Sequence, residues 1–177
     1  MGIEIERKFL VRDPSILDGR VGTPFRQGYL SRSPDRTVRV RHAGDRAWLT
    51  IKGRSVGAVR AEWEYEIPPD DADGLLVLVD GPVLEKTRYL VEHAGRTWEV
   101  DVFDGPNAGL VLAEVELEAE DAEVDVPAWV GQEVTEDRRF TSSSLAVRPM
   151  PGGMPAPVPV MVSAAIAVPS GGPRGGS

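Results

Sequence analysis

From Met1 to about Glu118, apolar and polar residues alternate in short runs with a period of two. That is the spacing of β-strands, whose successive side chains point to opposite faces. The pattern predicts eight strands: Gly2–Arg12, Phe25–Ser33, Thr37–Ala43, Arg46–Gly53, Ala61–Pro68, Leu84–His93, Thr97–Asp104 and Leu110–Glu118. Ser33-Pro34-Asp35 and Ala43-Gly44-Asp45 are tight-turn sequences, and Ala94-Gly95 plays the same part between strands six and seven. Asp70–Asp80, with Asp71 or Asp73 as cap and an apolar run behind it, predicts a helix packed on the outside; Phe140–Val147 predicts a second, short one. Consecutive strands joined by short turns predict a mainly β (α+β) fold, a closed eight-stranded antiparallel barrel with a few external helices, because closure removes exposed edges.

The barrel domain is expected over residues 1–148. From about Pro149 to Ser177 the chain is dense in Pro, Gly and Ala with almost no charge, which predicts a disordered tail with no catalytic role. No apolar run approaches the ~20 residues of a membrane-spanning helix. The first residues lack the basic start and apolar middle of a signal peptide. With no Cys there is no disulfide and no thiolate chemistry, so the expected setting is the cytoplasm, away from membranes. The net charge of -8 argues against a nucleic-acid partner.

How the charge is arranged says more than its sum. In strand one Glu4, Glu6 and Lys8 share a face opposite Ile3, Ile5, Phe9 and Val11. Strand three sets Arg39 and Arg41 against Val38 and Val40, and strand four sets Lys52 against Leu49 and Ile51. Strand five sets Glu62, Glu64 and Glu66 against Trp63, Tyr65 and Ile67. Lys86 and Arg88 form a row on strand six, Asp101 opposes Trp98, Val100 and Val102 on strand seven, and Glu114 and Glu116 oppose Val115 and Leu117 on strand eight. One explanation is a solvated face, since half-buried sheets commonly alternate apolar and polar residues. A solvated face, however, usually mixes signs and adds Thr, Ser and Gln. These rows are separated by sign, and like charges repel: a pair ~4 Å apart at an effective dielectric of ~20 costs about 4 kcal/mol. Repetition of that penalty points to ligands that relieve it, cations for the Glu rows and a polyanion for the Arg and Lys rows.

If the apolar rows face outward, the charged rows line the lumen. Paired carboxylates are hard oxygen ligands suited to Mg²⁺ or Mn²⁺, and the chain has no His or Cys cluster for zinc. Arg forks and Lys ammonium groups bind phosphate oxygens. Together they form the machinery of phosphoryl transfer, in which electrostatic stabilisation dominates.

The sequence I-E-I-E-R-K at Ile3–Lys8 carries an E-x-E-x-K signature. Further along stand R-V-R at Arg39–Arg41, T-I-K-G at Thr50–Gly53, E-W-E-Y-E-I at Glu62–Ile67, K-T-R at Lys86–Arg88, W-E-V-D-V-F at Trp98–Phe103, A-E-V-E-L at Ala113–Leu117 and W-V-G-Q-E-V-T at Trp129–Thr135. This ordered set, from Met1 to Val147, resembles the CYTH superfamily, or triphosphate tunnel metalloenzymes, in its short bacterial form. The resemblance implies an eight-stranded tunnel that binds triphosphate. It implies divalent-metal ligation by Glu4 and Glu6 with Glu114 and Glu116, and a triphosphate cradle of Lys8, Arg39, Arg41, Lys52, Lys86 and Arg88. Glu62, Glu64 and Asp101 join the acidic wall, where they would bind a second metal or orient water. Catalytic work is expected of Glu4, Glu6, Lys8, Lys52, Glu64 and Asp101. Glu66 and Glu118 are expected at the rim, and His42 and His93 match no motif. The chain departs from the family in its Pro/Gly/Ala-rich tail and in Arg138-Arg139-Phe140 followed by serines, where similar proteins often carry Tyr and Asn.

The expected activity is metal-dependent hydrolysis of inorganic tripolyphosphate to pyrophosphate and phosphate, by a monomer or homodimer. The alternatives are a class IV adenylate cyclase, a thiamine triphosphatase, or a module that holds polyphosphate or a nucleotide without turnover.

Overall fold

The computed structural model describes residues 2–33, 35–54 and 59–151, with the backbone alone at residues 2–4 and 59. The expected tail therefore lies, from residue 152 onward, outside the described residues. All eight predicted strands form: β1 (Gly2–Val11), β2 (Thr23–Ser33), β3 (Arg36–Ala43), β4 (Arg46–Lys52), β5 (Val59–Ile67), β6 (Leu84–His93), β7 (Arg96–Phe103) and β8 (Val111–Glu116). The strands follow the order β5-β4-β3-β2-β6-β7-β8-β1, and β5 pairs again with β1, which closes the ring. Every pairing is antiparallel. At the β6–β7 hairpin Ala94 and Gly95 both take positive φ, +48° and +76°. This is the two-residue turn whose twist matches that of its flanking strands.

A ninth strand, β9 (Val130–Glu133), was not predicted. It continues the edge of β1 beyond the point where β5 stops: β5 pairs with residues 2–5, and β9 with Phe9 and Val11. Four residues with Gly131 among them are too short for a period-two signal to emerge.

Helix α1 (Pro69–Leu76) starts on a proline at its first turn, followed by Asp70 and Asp71, which suit the positive end of the helix dipole. It ends earlier than predicted. The chain tightens through Val77 and Leu78, and the Asp80 amide then donates to the Tyr29 carbonyl at 2.8 Å, drawing the segment back onto β2. Gly28 permits that approach, because a Cβ there would lie 2.6 Å from Val79 Cγ1. The second predicted helix, Phe140–Val147, forms as α2 (Ser142–Val147), preceded by a 3-10 turn at Arg138–Phe140.

The apolar rows face outward and are covered over most of their length, Tyr65 on β5 staying 55 % exposed. Phe9, Val91, Trp98, Val100, Ala113 and Val115 pack beneath the turn at Pro14–Leu17 and the β8–β9 connection, with Trp98 buried between Phe9 and Trp129 at 5.5 and 5.6 Å. Val40 and Ala47 pack under Ala72 and Leu76 of α1. The inward rows are not charged throughout. By the two-residue period Leu10, Leu84, Phe103 and Leu112 continue the rows of Lys8, Lys86, Asp101 and Glu114, and they cluster with Val134, Phe140 and Leu145. One end of the lumen is thus stopped by an apolar plug that α2 helps to form. Among the described residues, no helix is long and apolar enough to cross a membrane.

Candidate active site

The inward rows converge on a cavity of about 860 Å³. Its wall contains Glu6 and Lys8 from β1, Arg39 and Arg41 from β3, Lys52 from β4, Arg60, Glu62 and Glu64 from β5, Lys86 and Arg88 from β6, Glu99 from β7, and Glu114 and Glu116 from β8. Each arrives there because strand alternation sends its apolar neighbours to the covered outer face. Asp101 does not line the cavity; it is 1 % exposed and lies behind the wall, paired with Lys86 and Arg88. The side chain of Glu4 lies outside the described residues. Glu66, in a pair with Arg46, and Glu118 are both exposed and neither lines the cavity. His42 and His93 stay outside this wall, against Asp73 and Asp125.

Opposite charges interlock around the lumen. Lys8 Nζ is 2.8 Å from Glu114 and 3.7 Å from Glu6. Lys52 meets Glu62 at 2.9 Å. Arg41 donates to Glu64 at 3.1 Å, and Thr50, itself buried, donates to the same carboxylate at 2.9 Å while accepting from Arg39 at 3.3 Å. Arg88 grips Asp101 with two bonds of 2.7 Å, reaches Glu114 at 3.4 Å and pairs with Glu99; Lys86 also pairs with Asp101. Burying unpaired ions costs several kcal/mol each, and these pairs offset that cost in the ligand-free barrel.

The titration behaviour follows from this packing. Burial pushes the Lys86 ammonium down to about 8, against the pull of Asp101, with Arg88 adding repulsion. Burial, with Arg39 alongside, lowers Arg41 to about 10 despite Glu64. For Lys8 burial also works downward, but Glu114 and Glu6 overcome it and hold the ammonium above its ordinary value. Glu114 is buried too, yet Lys8 and Arg88 keep it well below the usual carboxylate range. Glu99 goes the other way: burial raises it, and Arg88 offsets that only in part.

Every predicted site residue whose side chain is described lines this cavity except Asp101, which is buried behind Lys86 and Arg88. The carboxylates are not gathered into a ready metal cage: among the described residues, no three His, Asp or Glu side chains form a group that could hold a metal ion. Asp101, Glu62, Glu64 and Glu114 are each held by a lysine or arginine instead. Glu6 does stand directly opposite Glu116 in the β1–β8 register. On the basic side, the buried Nε atoms of Arg39 and Arg41 have no hydrogen-bond partner among the described residues.

Several wall residues escaped the sequence reading. Glu99 shares the inward row of Asp101, and its place in W-E-V-D carried that signal. Arg60 continues the row of Glu62 and Glu64, one residue before the predicted start of the strand; it donates to the Gly53 carbonyl and to Thr37 Oγ1. Thr141, Ser142 and Ser143, at the start of α2, also line the cavity, and no strand periodicity could have placed them there.

Residues 2–147 match the family model of the CYTH domain. The chain is similar to the inorganic triphosphatase of Acetivibrio thermocellus, 47 % identical over 150 residues that span 84 % of this chain and 96 % of that protein. It is also similar to the inorganic triphosphatase of Nitrosomonas europaea, 40 % identical over 149 residues, 81 % of this chain and 97 % of the relative. The fold superposes on the crystal structure of the inorganic triphosphatase NE1496 with a TM-score of 0.61 at 38 % identity, covering 86 % of this chain and 99 % of that one.

Proposed function

The chain belongs to the CYTH domain family, and on that footing we propose that it is an inorganic triphosphatase, hydrolysing tripolyphosphate to pyrophosphate and phosphate inside the barrel. The observation that carries this reading is the convergence of Lys8, Arg39, Arg41, Lys52, Lys86 and Arg88 from four strands on one cavity, with the Arg39 and Arg41 Nε donors unmatched among the described residues. A buried donor without an acceptor costs about 1–3 kcal/mol, and phosphate oxygens are the acceptors that Arg forks fit best. Binding exchanges carboxylate partners for phosphate oxygens on several cations at once. The basic side chains then hold the leaving pyrophosphate as water attacks the terminal phosphorus and the bridging P–O bond breaks, with Arg and Lys charge meeting the charge that develops.

Metal ligation is assigned to Glu4, Glu6, Glu114 and Glu116, with Glu62 and Glu64 on the acidic wall and Asp101 behind it serving a second ion or orienting water. The opposed Glu6 and Glu116 support this, since like charges directly across a strand pair are destabilising unless a cation lies between them. All-oxygen donors fit Mg²⁺ or Mn²⁺, and a divalent ion there would neutralise phosphate charge and acidify a water.

Tripolyphosphate, ATP and thiamine triphosphate, assayed side by side with Mg²⁺ or Mn²⁺ for both phosphate and cyclic AMP, test the assignment. Phosphate should appear from tripolyphosphate far faster than from either organic triphosphate. Preference for an organic substrate, or cyclic AMP from ATP, would remove it. Tight tripolyphosphate binding with metal and no phosphate release, in folded protein, would leave a binding module.

A further inference from the structure

The cations of the cavity meet an aromatic ring that the charge pattern did not reveal. Phe25 lies on β2, between β3, which carries Arg41, and β6, which carries Lys86 and Arg88. It stands directly opposite Lys86 in the β2–β6 register, so the two side chains share the inward face. Three charged groups approach its ring: the Arg88 guanidinium 5.3 Å from the centroid, that of Arg41 at 5.6 Å and the Lys86 ammonium at 5.9 Å. Arg41 also lies 5.0 Å from the Trp48 ring on the next strand, β4.

We propose that Phe25 is a positioning residue of the triphosphate site, its ring face holding Arg41, Lys86 and Arg88 together before the anion arrives. The inference rests on the triphosphate reading of the cavity. Three like charges converging on one lumen repel one another; Arg41 is held below its ordinary value by burial, with Arg39 and Arg88 contributing repulsion. Carboxylates restrain Lys86 and Arg88 from the β7 side, and Arg41 from β5. From the β2 side the partner is the negative face of an aromatic ring, which attracts cations within about 6 Å without competing for their hydrogen-bond donors. This distinguishes it from the carboxylates: phosphate has to displace a carboxylate but not the ring. Phe25 therefore pre-arranges the cations while leaving their N–H groups available, the economy that makes pre-organised sites bind tightly.

The test replaces Phe25 with mono-, di- and trifluorinated phenylalanine, which keep the ring's shape while draining its π face, and measures tripolyphosphate binding by calorimetry in EDTA. The dissociation constant should rise stepwise, reaching about tenfold for the trifluoro ring, in proportion to the loss of cation attraction. Phe25→Tyr, which retains the face, should bind within about twofold of the wild type, and Phe25→Leu should weaken binding about as much as trifluorination. A constant affinity across the fluorinated series would overturn the proposal, because a residue that only fills space would behave that way. Phosphate release, read separately with metal present, keeps the two claims apart. Wild-type protein that binds but does not hydrolyse removes the hydrolase assignment and leaves the Phe25 series decisive; failure to bind in EDTA with phosphate still released in metal removes the Phe25 proposal alone, and failure of both removes both.

Discussion

Arg88→Met separates the structural from the catalytic side of the charged lumen. The guanidinium is 11 % exposed and makes two 2.7 Å bonds to Asp101, whose side chain is 2 % exposed, besides its contacts with Glu99 and Glu114. Methionine keeps much of the apolar stem and removes the charge, leaving Asp101 with Lys86 alone and Glu114 with Lys8. Breaking a buried ion pair on one side costs about 3–5 kcal/mol, and the surviving lysines put this case near the lower end. For a chain of this size each kcal/mol moves the melting temperature by about 2–4 °C, so the variant should melt roughly 6–12 °C below wild type. Denaturant titration and calorimetry, without ligand at neutral pH, read this directly. A second substitution checks the cause. Asp101→Asn should destabilise the wild type, and in the Arg88→Met background it should cost at least about 1 kcal/mol less, because it then strips Lys86 alone of its carboxylate and not Arg88 as well. Activity should be lost in both Arg88→Met variants, since we propose that Arg88 also holds the triphosphate. An Arg88→Met protein as stable as wild type, or an Asp101→Asn change that costs as much in the variant as in the wild type, would refute the reasoning.

Other consequences follow from the frame around the site. Trp98, wholly buried between Phe9 and Trp129, should cost about 3–5 kcal/mol as alanine, measured by urea unfolding. Arg7 binds Glu133 at 2.6 Å and ties β9 to β1. Hydrogen bonding from Arg7 holds the Glu133 carboxyl below its ordinary value, so its stabilisation is complete above the usual glutamate range and fades as pH falls through the lowered folded value. With the carboxylate side chain 40 % exposed the effect is at most about 1 kcal/mol, so Glu133→Gln should melt slightly below wild type at pH 7 and converge with it in acid. A chain ending after Pro151 should keep full activity, since the cavity is lined by residues between Glu6 and Ser143 and Met150 still packs on the plug and donates to Asn107; phosphate-release rates of the two lengths decide.

The strands were legible because one face of each is buried and the other charged, so a single residue of slip would put Trp98 into the lumen and Asp101 into the core. The same rule gave the orientation of Lys8, Arg39, Arg41, Lys86 and Arg88. It failed where local pattern carries no information. β9 is four residues long and exists because the edge of β1 needs a partner past β5. The plug reads from sequence as ordinary strand residues, since Leu10, Leu84, Phe103 and Leu112 look like any core positions until Phe140 and Leu145 arrive from far along the chain. Phe25 hid for a similar reason: only the pairing of β2 with both β3 and β6 brings its ring against cations from each side.

A crystal structure of the protein soaked with tripolyphosphate is the most direct test of inward convergence. The phosphate chain should lie within the barrel, with its oxygens in hydrogen-bond reach of Arg39, Arg41, Lys86 and Arg88. Density for the anion on the outer surface, with the ion pairs of the lumen undisturbed, would contradict the account.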